Sequence, residues 1–322
     1  MELDAKIFVA GHRGLVGGAI LRRLKTAGFS NLICRSHRQL DLRDQAAVAR
    51  CFRREQPAYV FLAAARVGGI RANSTYPAQF IYDNLMIEGN IIHQAYLHGV
   101  KKLLFLGSSC IYPKFAPQPM KEEYLLDGKL EPSNEPYAVA KIAGVEMCRA
   151  YNREYGTCFI SAMPTNLYGP GDNFDLLDSH VIPALMRRFH LARVAGAPEL
   201  EVWGTGAPRR EFLHVDDLAD ACLFLMQHYQ ESDIVNVGVG QDLTIRELAE
   251  LVVSVTGFKG RISFDASKPD GTPRKLLDIS RLSALGWQAR IPLEEGLRRT
   301  YQWFCRSRWA RPTAAISGSP TT

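Results

Sequence analysis

Lys6-Ile7-Phe8-Val9-Ala10 followed by Gly11-His12-Arg13-Gly14-Leu15-Val16-Gly17 carries the strongest architectural signal in the chain. After Lys6 the run is wholly apolar and reads as a strand buried on both faces. It passes through a G-x-x-G-x-x-G loop into an amphipathic helix with Leu15, Ile20, Leu21 and Leu24 turned inward. Glycines at this spacing allow a tight turn and let backbone N–H groups at the positive end of the helix approach a pyrophosphate. The triplet alone is weak; between a first strand and a first helix it indicates a dinucleotide.

On either side of that loop, apolar runs of strand length recur at 6–10, 31–35, 58–64, 103–108 and 159–164, separated by helical stretches. That alternation predicts an α/β fold, a Rossmann-type doubly wound parallel sheet with right-handed crossovers. Beyond Pro164 the pattern loosens into the turn-rich 168–172, a helix over 181–193 and a Pro/Gly-rich stretch over 196–208. Two further short apolar runs, 211–216 and 234–238, read as strands that return to the sheet. The expected organisation is a cofactor domain of 1–168 plus about 211–240 and a smaller, interleaved α/β substrate domain of 169–210 plus about 241–306. Residues 307–322 are poor in groups to bury and read as a frayed tail.

Composition narrows the function classes. At 322 residues, 47% hydrophobic and 22% charged, the chain suits about two folded domains and excludes extensive disorder. No apolar run approaches the roughly 18 residues of a membrane span, and residues 1–10 lack an export signal. The seven cysteines, 34, 51, 110, 148, 158, 222 and 305, include no C-x-x-C pair, so neither a disulfide framework nor a metal site is expected and a reducing cytoplasm is the simplest location. Thirty-nine Lys and Arg against 33 Asp and Glu leave a net charge of +6, which suits an anionic small ligand but lacks the basic blocks of a nucleic-acid binder.

The second strand specifies the cofactor. A binder of NAD offers an acid there to the ribose 2′-hydroxyl. Here the strand ends Cys34-Arg35-Ser36-His37-Arg38, and with Arg13 in the loop this basic cluster favours a 2′-phosphate, hence NADP. Asp41 lies too far along for the ribose and is expected near the adenine.

Tyr137 and Lys141 form Y-x-x-x-K on one helix face, behind a start signal at Ser133-Asn134-Glu135-Pro136. An ammonium beside a phenol is expected to lower the tyrosine pKa from about 10, fitting Tyr137 to exchange a proton with a carbonyl oxygen. Ser108, at the carboxyl end of the fourth strand, supplies a second donor to the same oxygen.

The phosphate loop, Ala63-Ala64-Ala65, Ser108, Tyr137 and Lys141 together resemble the extended short-chain dehydrogenase/reductase family over nearly the whole chain. Longer segments narrow this: Ala65-Arg66-Val67-Gly68-Gly69-Ile70, Gly107-Ser108-Ser109-Cys110-Ile111-Tyr112-Pro113, Ser179-His180-Val181-Ile182-Pro183 and Arg210-Glu211-Phe212-Leu213-His214-Val215-Asp216. They are similar to those members that epimerise a GDP-linked 4-keto-6-deoxy sugar at C3 and C5 and then reduce its C4 ketone with NADPH.

The resemblance implies a catalytic set of Ser108, Cys110, Tyr137, Lys141 and His180, with Cys110 as base, His180 as opposing acid, and Lys141 holding the nicotinamide ribose. It implies NADP(H) contacts from Gly11, His12, Arg13, Gly14, Leu15, Val16, Gly17, Arg35, His37, Asp41, Ala63, Ala64, Ala65, Leu106, Gly107, Lys141, Pro164, Asn166, Leu167 and His180. It implies substrate contacts from Asn166, Val181, Arg188, Trp203, Arg210 and Asp270. A homodimer through helices around 85–98 and 137–153 is inherited in the same way; from the sequence, Ile87, Ile91, Ile92 and Ala95 face either a partner or the core. His37 and Asp41 depart from the family pattern at the 2′-phosphate, and the stretch between Met226 and Ile234 is short for it. A 4-epimerase that retains its cofactor is the nearest rival. A dehydratase is disfavoured because Ser108-Ser109-Cys110 stands where Thr-Asp-Glu is expected, and a cofactor sensor because the acid/base set is intact.

Overall fold

In the computed structural model, which describes residues 1–176, 178–268 and 270–311, strand β1 (Ile7–Ala10) is buried along its whole length. Ile7 and Val9 enter one hydrophobic cluster while Phe8 and Ala10 enter another, the period-2 pattern of a strand covered on both faces. The chain continues through α1 (Leu15–Thr26), β2 (Leu32–Ile33), α2 (Gln45–Glu55), β3 (Tyr59–Leu62), α3 (Ile70–Thr75), α4 (Pro77–Leu97), β4 (Lys102–Leu106), α5 (Glu135–Tyr155) and β5 (Phe159–Pro164). After β5 come β6 (Asn166–Tyr168), α6 (Val181–Val194), β7 (Glu199–Trp203), β8 (Arg209–Arg210), β9 (Phe212–His214), α7 (Val215–His228) and β10 (Val235–Val237). The remaining elements are β11 (Leu243–Thr244), α8 (Ile245–Thr256), β12 (Arg261–Asp265), β13 (Arg274–Lys275), α9 (Ser280–Ala284) and α10 (Leu293–Arg306).

Six strands form one parallel sheet in the order β10-β5-β4-β3-β1-β2. The strand order reverses between β1 and β3, which opens a crevice at their carboxyl ends, the place where such sheets bind ligands. Helices α1 and α7 cover one face, burying Ile20, Leu24, Leu218 and Cys222; α2, α4 and α5 cover the other, burying Phe52, Ile91, Ile92 and Val145. Ion pairs Arg22–Asp216 at 2.7 Å and Arg23–Asp220 at 2.8 Å tie α1 to α7. Buried Lys102 points its ammonium at the carbonyls of Leu225, Met226 and Tyr229, a cation at the negative end of α7.

A third cluster packs α6, α8 and α10 around Phe174, Phe189, Val252 and Phe304. Around it lie three small sheets, β11-β8-β13, β12-β7 and β6-β9. This half is stitched to the sheet by Glu211, which is fully buried. Its Oε1 accepts the N–H groups of Val239 (2.6 Å) and Gly240 (2.7 Å), its Oε2 that of Leu277 (3.0 Å), and its backbone carbonyl accepts the Asn166 side chain (2.8 Å).

Several expectations are corrected here. The run 211–216 is a strand only over Phe212–His214 and pairs with β6 rather than with the central sheet. Asp216 and Asp217 stabilise the positive first turn of α7, so helix begins at Val215. Ile91, Ile92 and Ala95 are fully buried and belong to the core, with Ile87 packed at its edge; Tyr82, Leu85, Leu97, Val139 and Tyr155 are the apolar side chains that α4 and α5 expose. The expected tail does not fray from its first residue. Arg308–Ala310 form a 3-10 turn in which Trp309 lies 5.5 Å from the Arg187 guanidinium and the Ala310 carbonyl meets the His190 ring at 3.2 Å. Residues 312–322 of that tail lie outside the described residues. Among the described residues no helix is long and apolar enough to cross a membrane.

Candidate active site

The loop after β1 is built around two glycines. Gly11 has φ +88°, a conformation that favours glycine, and a Cβ there would meet the Ala64 backbone at 2.7 Å. At Gly17 a Cβ would fall 2.2 Å from the Gly11 carbonyl oxygen, so α1 approaches the loop as closely as backbone permits. Gly14 caps α1 without a side-chain bond and no acid occupies the first turn, which leaves the positive helix end to an outside anion. The buried Nδ1 of His12 has no hydrogen-bond partner. These observations fit a dinucleotide pyrophosphate, with Leu15 and Val16 opening α1 and Ala63, Ala64 and Ala65 forming the facing wall after β3. Gly17→Ala is therefore expected to lower stability by about 1–3 kcal/mol, read as a shift in the urea midpoint, and to weaken NADPH binding in a fluorescence titration.

Beyond β2 the basic cluster is partly spoken for. Arg13, His37 and Arg38 are exposed, but the Arg35 guanidinium is bound to Glu55 at 2.6 Å and to the Cys34 carbonyl at 2.9 Å. A 2′-phosphate contact from Arg35, as expected from the sequence, would be made beside this ion pair with an acid on α2. The Asp41 carboxylate, expected near the adenine, is held at 2.8 Å by Arg43 and at 3.6 Å by His37, and those cations lower its pKa to about 2. Arg43 also pairs with Asp83 at 3.0 Å, and Asp83 with Arg66 at 3.0 Å.

At the carboxyl end of β4 the backbone leaves the sheet through Leu106 and Gly107, where a Cβ would strike Met163 at 2.3 Å, and turns into a 3-10 turn at Ser109–Ile111. Ser108 caps that turn by accepting the Cys110 N–H at 3.2 Å, and its hydroxyl lies beside the Tyr137 phenol. Asn134 stands at the cap position of α5 yet makes no capping bond; its amide donates instead to the Cys110 sulfur at 3.2 Å. Four groups named from the sequence, Ser108, Cys110, Tyr137 and Lys141, are in this way brought together around the end of one strand.

The electrostatics depart from expectation. Burial first, then Cys110 and Glu88, raise the Tyr137 pKa above its usual 10, with the Ser108 hydroxyl pulling against them. The lowering expected from Lys141, whose ammonium lies 5.9 Å from the Tyr137 ring centre and 3.0 Å from the Glu88 carboxylate, is opposed above all by burial. A second Lys141 proton goes to the Leu106 carbonyl at 2.9 Å.

His180 stands just before α6 and is solvent-accessible, while the protein around its ring lowers its pKa from 6.5. The preceding segment is docked on the loop after β3 by the Gly69 N–H, which donates to the Asp178 carbonyl at 3.2 Å. Val181 is the first residue of α6. Pro164 ends β5, Leu167 lies in β6, and Asn166 beside it is fixed to Glu211. Trp203 is 66% exposed at the end of β7, with the Lys268 ammonium 6.0 Å from its ring. Arg188 donates to the Glu201 carbonyl at 2.5 Å, Arg210 to the Arg209 carbonyl at 2.8 Å, and Asp270 accepts from Thr205 at 2.7 and 2.8 Å. Sequence reading passed over Glu88, which is hidden in the middle of an ordinary helix. It also took Asn134 for a cap, a signal that pointed to the right position for another reason.

The model of the NAD dependent epimerase/dehydratase family matches residues 7–238. The chain is 62% identical over 306 residues to GDP-L-fucose synthase 1 of Arabidopsis thaliana, across 95% of each chain. It is 58% identical over 308 residues to GDP-L-fucose synthase of Escherichia coli K12, across 93% of this chain and 96% of that one. A solved GDP-L-fucose synthetase from Naegleria fowleri bound to NADP shares the structure at TM-score 0.88 with 31% identity, across 95% of both chains.

Proposed function

The chain belongs to the NAD dependent epimerase/dehydratase family, and from that membership we propose that it converts GDP-4-keto-6-deoxy-D-mannose to GDP-L-fucose with NADPH. Epimerisation at C3 and C5 comes first and reduction of the C4 ketone follows. The observation that carries this reading is the meeting of two kinds of chemistry at the end of β4: a Ser108–Tyr137 donor pair for a carbonyl oxygen, and beside it a thiol held by Asn134.

Cys110 removes the proton next to the ketone. A thiol works as a base only in its thiolate form, and the donated Asn134 N–H suits that form. His180 returns a proton from the other face of the ring. Ser108 and Tyr137 hold the negative charge that gathers on the C4 oxygen, and Tyr137, whose raised pKa keeps it protonated, gives its proton to that oxygen in the reduction. Bound NADPH supplies the hydride. Lys141 keeps one N–H free for the nicotinamide ribose after serving Glu88 and Leu106. Arg210 and Arg188 grip the diphosphate, and the exposed Trp203 face packs on the nucleotide.

In this reading residues 1–168 with about 211–240 serve the cofactor and 169–210 with about 241–306 the sugar nucleotide. The protein works in the cytoplasm as a homodimer joined through the exposed faces of α4 and α5, where Tyr82, Leu85 and Val139 lie.

The test is the loss of NADPH absorbance when purified protein meets the keto sugar, with NADH in parallel and the product identified. One NADPH consumed per fucose formed, and slower turnover with NADH, is the expected result. No consumption, or a tightly held NAD that never leaves, would turn the reading toward a 4-epimerase.

A further inference from the structure

We infer that Glu88 is the counterion that holds Lys141 in the geometry needed to grip the cofactor ribose, which makes Glu88 a positioning residue; this rests on the cofactor role of Lys141 proposed above. Glu88 lies midway along α4 and is 1% exposed. A carboxylate is almost never found so deep in a core without a partner. Its Oε1 is 3.0 Å from the Lys141 ammonium, and apart from that ion pair neither carboxylate oxygen has a hydrogen-bond partner among the described residues.

The slot is shaped for the pair. A Cβ at Gly144 on α5 would come within 2.8 Å of Glu88 Oε2 and 2.4 Å of the Phe105 ring. The Phe105 ring centre itself lies 4.7 Å from the Lys141 ammonium. Glycine at 144 and the aromatic ring at 105 thus leave room for one acid and wall it off from water. Held between Glu88 and the Leu106 carbonyl, the ammonium has two of its three protons fixed, and the direction of the third follows. Without the carboxylate a buried ammonium would stand uncompensated and would swing away.

The titratable groups that face Glu88 are Lys141, Tyr137 and Cys148, all on α5; β4 contributes the Phe105 ring and the Leu106 carbonyl. Burial raises the Glu88 pKa and Lys141 opposes that rise. The carboxylate therefore supports Lys141 at high pH and loses its charge as pH falls through the raised value.

The experiment measures NADPH dissociation constants by fluorescence for the wild type, Glu88→Gln and Glu88→Asp from about pH 9 to about pH 5. The expected ratio of the Gln variant to the wild type is about tenfold at the alkaline end, and it shrinks toward one as pH falls and the wild type loses the same charge. Glu88→Asp, which keeps the charge, should recover part of the affinity. A ratio that stays constant across pH would mean a purely structural role and overturn the inference, as would a ratio of one throughout. Protein that shows the pH-dependent ratio but leaves the keto sugar unchanged would uphold Glu88 and sink the functional reading.

Discussion

Cys110→Ser is expected to cut solvent-deuterium incorporation at C3 and C5 of the keto sugar by about 10²- to 10⁴-fold while NADPH still binds. Serine fills nearly the same space, can accept the Asn134 N–H and keeps the turn capped by Ser108, so the architecture at the end of β4 survives. What is lost is acidity, because a hydroxyl does not ionise near neutral pH whereas a thiol can. The variant should still oxidise NADPH when given the sugar already epimerised at C3 and C5, since Ser108, Tyr137 and Lys141 are untouched. Mass spectrometry of the recovered sugar in heavy water reads the first effect and absorbance the second. Exchange at the wild-type rate would remove Cys110 from the mechanism.

The second large effect is on stability. Glu211→Gln is expected to cost about 2–4 kcal/mol, read as a lower urea midpoint with unchanged slope. The two oxygens of Glu211 accept three backbone N–H groups, from Val239, Gly240 and Leu277. An amide has one oxygen and one NH2. Whichever way it turns, it points N–H at N–H and strands at least one buried donor. Because Glu211 joins the strand before α7 to the end of β10 and to Leu277, the loss should appear in both halves of the molecule. A midpoint within error of the wild type would show that the cradle relaxes around the amide.

Much of this architecture is legible from residues alone. The apolar runs that become β1, β3, β4 and β5 are nearly uninterrupted, and strands covered on both faces must be so. The glycine loop and Y-x-x-x-K are local patterns, and local patterns survive folding. What escapes the sequence is set by contacts between distant residues. Nothing local tells that Arg35 will pair with Glu55 or that Asp41 will pair with Arg43. The Tyr137 environment is non-local too: the helix places Lys141 beside the phenol, but burial opposes its effect most strongly and Glu88, from another helix, pairs with the ammonium. Strands of two residues, such as β8, β11 and β13, have no periodicity to read and exist only because they pair with one another. The turn after α10 became ordered because Trp309 found Arg187, a partner more than a hundred residues away in the chain.

Strand β10 sits at the edge of the sheet against β5, yet β6, α6 and α7 all lie between them in the chain. On a ribosome, β5 is made long before its neighbour. Until Val237 has emerged, that side of the nascent sheet is an unpaired row of backbone groups along a wholly buried, apolar strand. Helix α7, which closes over α1 from the other end of the sequence, is equally late, and distant pairings of this kind form slowly. The newly made protein is thus most open to aggregation in one interval, between the synthesis of Pro164 and that of Val237, and it is then that a chaperone has most to shield.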